Sequence, residues 1–168
     1  MIFRLTQKLS KKIETSPTEA LPLNPILFAD WSAHLFTADR IQFIMLTNTA
    51  SLYSTLMYGR GIANDSMFLD RALKAIREFM VGDGQEFIYR RFIAPASETI
   101  YFSKALNRSV TGSINDLVYH AQMWLSEAGL SPFDTSFKLN EMPMSALNYG
   151  YPREAFKSLA VESEDAAR

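Results

Sequence analysis

The segment from Asp30 to Leu46 constrains this chain most. It carries two apolar runs, WSAHLFT and IQFIMLT, joined around Ala38, Asp39 and Arg40. Both runs are rich in β-branched and aromatic residues, and the polar gap is short, so the segment predicts an antiparallel hairpin. In the first run Trp31, Ala33 and Leu35 share one face, and His34 and Phe36 share the other. In the second, Ile41, Phe43 and Met45 oppose Gln42, Ile44 and Leu46. Both faces are largely apolar. Such a pair belongs in the middle of a sheet covered on both sides.

The remaining elements follow from periodicity and punctuation. Met1 to Thr6 reads as a short strand, and Gln7 to Ile13 as one or two helical turns with Leu9 and Ile13 on one face. Ser16 to Pro25 holds three prolines and reads as an irregular connection. Ser51 to Tyr58 reads as a third strand, ended by Gly59 and Gly61. Asn64 or Asp65 caps a helix to about Met80, with Leu69, Ala72, Ile76, Phe79 and Met80 as its stripe. Asp83 is read as the cap of a second helix ending near Ala94, before Pro95, and Ser97 to Ser103 as a further strand. Ser109 to Ala128 is the best helix, stopped by Gly129, with Val110, Ile114, Leu117, Ala121, Trp124 and Leu125 facing the core. SPFDTSFKL is a short helix, and PMSALNYGYP is a loop delivering Pro152 as the first residue of a final helix. Strands come early and helices late. That order predicts an α+β fold, a single domain over residues 1–160 with an antiparallel sheet, and a frayed acidic tail over residues 161–168.

A chain of 168 residues buries about 70% of its unfolded surface and needs no staple. Cysteine is absent. That excludes disulfides, a thiol nucleophile and thiolate metal sites, and agrees with a cytoplasmic location. The 17 basic and 18 acidic side chains nearly cancel, so no overall charge argues for nucleic acid. Arg4, Lys8, Lys11 and Lys12 make the start basic. No apolar run approaches ~18 residues, and no secretory signal follows the basic start, so no membrane partner is expected.

Four stretches, FRLTQKLSKKI, ADWSAHLF, NRSVTGSIND and PMSALNYGYPREAF, together resemble a family of uncharacterised bacterial domains of unknown function. Their order and spacing cover most of the chain. The resemblance implies one whole domain and brings no activity, substrate or catalytic residue.

Two places carry candidate ligand-binding residues. The first is the polar run of Asn107, Arg108, Ser109, Ser113, Asn115 and Asp116 at the entry of the long helix. A helix start offers free N–H groups, a positive dipole end and here a fixed arginine charge, which suits an anion. Ser113, Asp116 and His120 share a helix face and are hydrolase residue types, although residues on one helix do not converge as a catalytic triad does. The second is Asp30 beside Trp31, an acid next to a large aromatic at a strand start. His34 and His120 are the sole histidines and lack ligand spacing, so neither a metal site nor a cofactor is expected. The sequence thus favours a small cytosolic binding or regulatory module without catalysis, with a protein partner or a homodimer among its options. A hydrolase built on the 107–116 turn is the alternative, and a weak nucleic-acid binder using the basic start is the next.

Overall fold

The computed structural model describes the backbone of residues 1–166 and the side chains of residues 1–160. The expected hairpin is present as β2 (Asp30–Ala38) and β3 (Ile41–Asn48), paired antiparallel from Trp31 opposite Asn48 to Ala38 opposite Ile41. With β1 (Ile2–Leu5), β4 (Ser54–Tyr58) and β5 (Tyr101–Ser103) it forms one sheet in the order β4-β3-β2-β1-β5. β2 is therefore the middle strand, as its two-sided apolar pattern requires.

The sheet is mixed, which corrects the antiparallel expectation. β1 runs parallel to both β2 and β5. The connection from Thr6 to Ala29 returns the chain to the edge where β1 began, so β2 starts level with it, Ile2 opposite Asp30. A parallel pair needs such a long return. Here it consists of the short helix α1 (Gln7–Lys12) and the proline-rich segment, not of a long crossover helix.

The hairpin turn places both Asp39 and Arg40 at positive φ, 49° and 64°. Two-residue hairpin loops favour that geometry because it matches strand twist, but it suits Asn-Gly far better than Asp-Arg. Left-handed backbone costs a side-chain-bearing residue roughly 1–2 kcal/mol, offset in part by the entropy of glycine. The double variant Asp39→Asn/Arg40→Gly should therefore be more stable by up to ~1 kcal/mol, read as a higher urea midpoint at unchanged slope. A lower midpoint would contradict this reading of the turn.

Two layers cover the sheet. On one face Phe3, Trp31, Ile44 and Leu46 pack in one core with Phe68, Ile76 and Phe79 of α2 (Asp65–Gly82) and with Phe156 of α7 (Pro152–Ala166). Phe156 stacks on Tyr53 with ring centroids 4.2 Å apart and meets Phe28 edge-on at 5.0 Å. On the other face Phe36, Phe43, Met45 and Leu56 receive Ile114, Leu117 and Ala121 of α5 (Arg108–Ser126). Asn107 caps α5, its Oδ1 accepting from the Val110 N–H at 2.9 Å. The side chains beyond residue 160, on which the expected acidic tail depends, lie outside the described residues.

Two local expectations fail for identifiable reasons. Pro95 does not end its helix. The chain runs through α3 (Glu86–Ile88), a π-helical turn (Tyr89–Ile93) and α4 (Ala94–Ala96). A proline lacks the N–H and crowds the carbonyl four residues back, and a widened turn before it relieves that clash. Asp83 does not cap that helix. Its backbone N–H closes α2 on Phe79 O, and its carboxylate accepts from Tyr53 Oη at 2.7 Å and Arg153 Nε at 2.9 Å.

The outer edge of β4 is sealed by side chains of α6 (Pro132–Leu139) and its C-cap, Asn140. Asn140 Oδ1 accepts from the Ser54 N–H and Asn140 Nδ2 donates to Ser54 O, both at 2.8 Å. Ser136 Oγ accepts from the Leu56 N–H at 2.9 Å, and Arg71 donates to Tyr58 O at 2.9 Å. An amide side chain and a hydroxyl thus take the hydrogen-bonding place of a sixth strand.

Candidate functional site

Asp30 is wholly buried and forms a two-pronged ion pair with Arg4, Nε to Oδ1 and Nη2 to Oδ2, both 2.8 Å. The remaining guanidinium hydrogens go to Leu21 O (2.7 Å), Pro22 O (3.0 Å) and Ser103 Oγ (3.3 Å). Asp30 Oδ2 also accepts from the Asn24 N–H at 2.9 Å. A guanidinium has five N–H groups, and all five are engaged here. The pair joins β1, β2 and β5 to the proline-rich loop and presents no open valence to a ligand. Trp31 is buried beside it, its indole N–H donating to Phe28 O at 2.8 Å. Both candidates hold the fold together.

The 107–116 run does not converge either. Asn107, Arg108, Ser109, Asn115 and Asp116 are exposed. Thr111 Oγ1 and Ser113 Oγ donate to the carbonyls of Asn107 and Ser109, one turn back on the same helix. His120 Nδ1 lies 2.9 Å from the backbone oxygen of Asp116 and not near its carboxylate. The inner side of this turn, Val110, Thr111 and Ile114, is what meets the rest of the molecule.

What it meets is a crevice beside the carboxyl ends of β1 and β5. This crevice of ≈ 580 Å³ runs between α1, Ser16–Pro17, the turn after β5 and Thr111. Its apolar lining is Leu5, Pro17 and Ala105. Its polar lining is Thr6, Gln7, Ser10, Ser16 and Thr111, with Lys11 and Lys104. The volume falls within the usual range for small-molecule sites. Beside it, sharing Leu5, Thr6, Ala105 and Thr111, is a cavity of ≈ 20 Å³ reached by Arg4, Ser32 and His34. Burial, and then the nearby Lys8 ammonium, hold the His34 pKa below the ordinary imidazole value. His34 is thus predominantly neutral near pH 7 and offers one N–H donor and one acceptor.

The fold, and not the sequence pattern, marks this place. Thr6 and Lys104 each directly follow a strand of a parallel pair. In open α/β sheets ligands sit outside the carboxyl ends of parallel strands. Lys11 and Lys104 lie far apart in sequence, and nothing in the local pattern brings them together.

A second polar cluster lies on the far side. Tyr53, Asp83, Arg153 and Glu141 form a chain of hydrogen bonds, with Arg153 Nη1 to Glu141 Oε1 at 2.9 Å. Burial, followed by the Asp83 charge and its hydrogen bond, pushes the Tyr53 pKa up, so the phenol keeps the proton it donates to Asp83. The cluster clamps the start of α7 against the end of α2. Among the described residues no group of His, Cys, Asp and Glu is arranged to hold a metal ion, and no helix is long and apolar enough to cross a membrane.

Residues 2–155 match the model of a family described as a domain of unknown function (DUF6933). No curated protein and no solved structure matches the chain.

Proposed function

The chain belongs to the DUF6933 family, and on that footing we propose that it is a non-catalytic binding module whose ligand is a small molecule held in the crevice beside β1 and β5. We place it in the bacterial cytoplasm, in keeping with its lack of cysteine. The observation that carries the reading is the crevice itself: ≈ 580 Å³, part apolar and part polar, at the carboxyl ends of two parallel strands. The non-catalytic part rests on the polar groups outside it. Ser113 and His120 are bonded to carbonyls of their own helix, and Asp30 is committed to Arg4. None of these is free to form a nucleophile, a base and an orienter around one reacting atom.

Ala105 is exposed and lines the crevice, so filling the space from that position should leave the fold intact. Ligand-observed NMR screening of a mixed small-molecule library should give hits for the native chain that Ala105→Trp loses, at a melting temperature within a few degrees of native. Hits that survive Ala105→Trp unchanged would put the site elsewhere. Turnover of a hit would contradict the non-catalytic reading.

A further inference from the structure

We propose that the ligand of this crevice is a small organic anion, a carboxylate or a phosphate monoester, with its charged head between Lys11 and Lys104 and its hydrocarbon part against Leu5, Pro17 and Ala105. The inference rests on the crevice being the binding site, and it names the chemistry that site selects.

Charge balance is the first argument. Five cationic side chains of the described residues are ion-paired: Arg4 with Asp30, Lys74 with Glu78, Arg90 with Glu86, Arg153 with Asp83 and Glu141, and Lys157 with Glu154; the other cations are not, and two of those line the crevice. Among the described residues neither Lys11 nor Lys104 has such a partner. Two lysines far apart in sequence thus line one concave space whose lining holds no carboxylate. Lys8, close enough to act on His34, adds to the positive field at the same corner. A concave surface lined by one sign of charge concentrates ions of the other.

The second argument is the shape of the rest. Gln7, Ser10 and Ser16 make no hydrogen bond through their side chains within the described protein and line the same space, which leaves them free for neutral oxygens of a ligand. The apolar wall of Leu5, Pro17 and Ala105 would gain nothing from a bare inorganic ion, so the anion should carry carbon. Lysines act as mobile point charges and do not select between planar and tetrahedral anions as an arginine fork would. Carboxylate and phosphate therefore remain two sources of one chemistry, which the probes below separate.

The test is an NMR titration of the intact chain with matched probes. The pairs are hexanoate against hexanamide and phenyl phosphate against phenol, followed at the amides of Gln7, Ser10, Lys104, Ala105 and Thr111. At least one anion should shift these amides saturably and more strongly than its neutral partner. Comparing the two anions shows which head group is preferred. Lys11→Gln/Lys104→Gln removes only exposed charges, so it should fold normally, and it should weaken the anion by roughly tenfold or more, as expected for lost charge-assisted hydrogen bonds. Neutral probes should change less than about twofold, since they make no such bonds. Equal binding of hexanamide and hexanoate would overturn the anion reading while leaving the crevice as a site. Anion shifts spread over lysines across the surface, or none at the crevice amides, would overturn it as well. The Ala105→Trp screen decides separately whether the crevice binds anything.

Discussion

Asp30→Asn should lower the stability of the protein by about 3–5 kcal/mol, the usual cost of breaking a buried ion pair from one side. The substitution keeps volume and shape, so the loss comes from charge. It leaves the Arg4 guanidinium, itself fully buried, facing an amide N–H₂ or a neutral oxygen. A domain of this size is stable by only about 5–15 kcal/mol, so chemical denaturation should show the midpoint falling by a large fraction of its native value. The pair also holds Leu21, Pro22 and Asn24 over the sheet edge, so amide exchange at Asn24 should accelerate beyond the global effect. Arg4→Met/Asp30→Leu removes both charges together and should be less damaging than the single change, because no buried charge is left without a partner. The loop carbonyls at Leu21 and Pro22 can then turn to water. A single variant within about 1 kcal/mol of native, well below that cost, would mean that water reaches Arg4 in solution.

The contrast between what was legible in the sequence and what was not follows the range of the interactions. The hairpin is legible because alternation in WSAHLFT and IQFIMLT is local and two-sided. The α5 helix is legible because Asn107, the 3.6-residue stripe from Ile114 to Ala121 and Gly129, at φ 63°, all lie within one segment. Strand direction is not legible. Whether β1 runs with or against β2 depends on where the Thr6 to Ala29 connection ends, and no periodicity encodes that. The same holds for Asp30, whose partner Arg4 is on another strand, and which therefore reads as a free acid beside Trp31. The polar run at 107–116 shows a different limit. Seven polar side chains in ten residues suggest convergence, but helical geometry turns most of them to solvent and leaves Val110, Thr111 and Ile114 facing inward. Lys11 and Lys104 read as solvated charges, and only the fold brings them to one crevice.

Asn140→Ala should cost about 2–4 kcal/mol and should also change how the protein associates. The side chain is fully buried and makes three hydrogen bonds: it accepts from Ser54 N–H and donates to the carbonyls of Ser54 and Ser136, at 2.8, 2.8 and 2.9 Å. Truncation leaves the Ser54 N–H and C=O without partners in a dry place, and each unsatisfied group costs about 1–3 kcal/mol. The two penalties do not add fully, because water can enter the space left by the amide. Ser136→Ala removes the acceptor of the Leu56 N–H along with a longer contact to the Thr55 hydroxyl and a bond to Pro132 O, but leaves one buried backbone group unpaired on β4 where Asn140→Ala leaves two, and should cost less, about 1–3 kcal/mol. The second consequence concerns the edge. Ser54, Leu56 and Tyr58 carry the outward-facing groups of β4, and Asn140, Ser136 and Arg71 bond to four of these: the Ser54 N–H and C=O, the Leu56 N–H and the Tyr58 C=O. Without Asn140 and Ser136 the strand offers free N–H and C=O groups to another chain, the usual route to edge-to-edge pairing. The double variant Asn140→Ala/Ser136→Ala should therefore form concentration-dependent oligomers by light scattering well below its melting temperature, while the native chain does not. Oligomers should be absent from Asp30→Asn at matched stability, because that change leaves the β4 edge covered. If both variants aggregate equally, loss of stability alone explains the association, and the seal on β4 has no separate role.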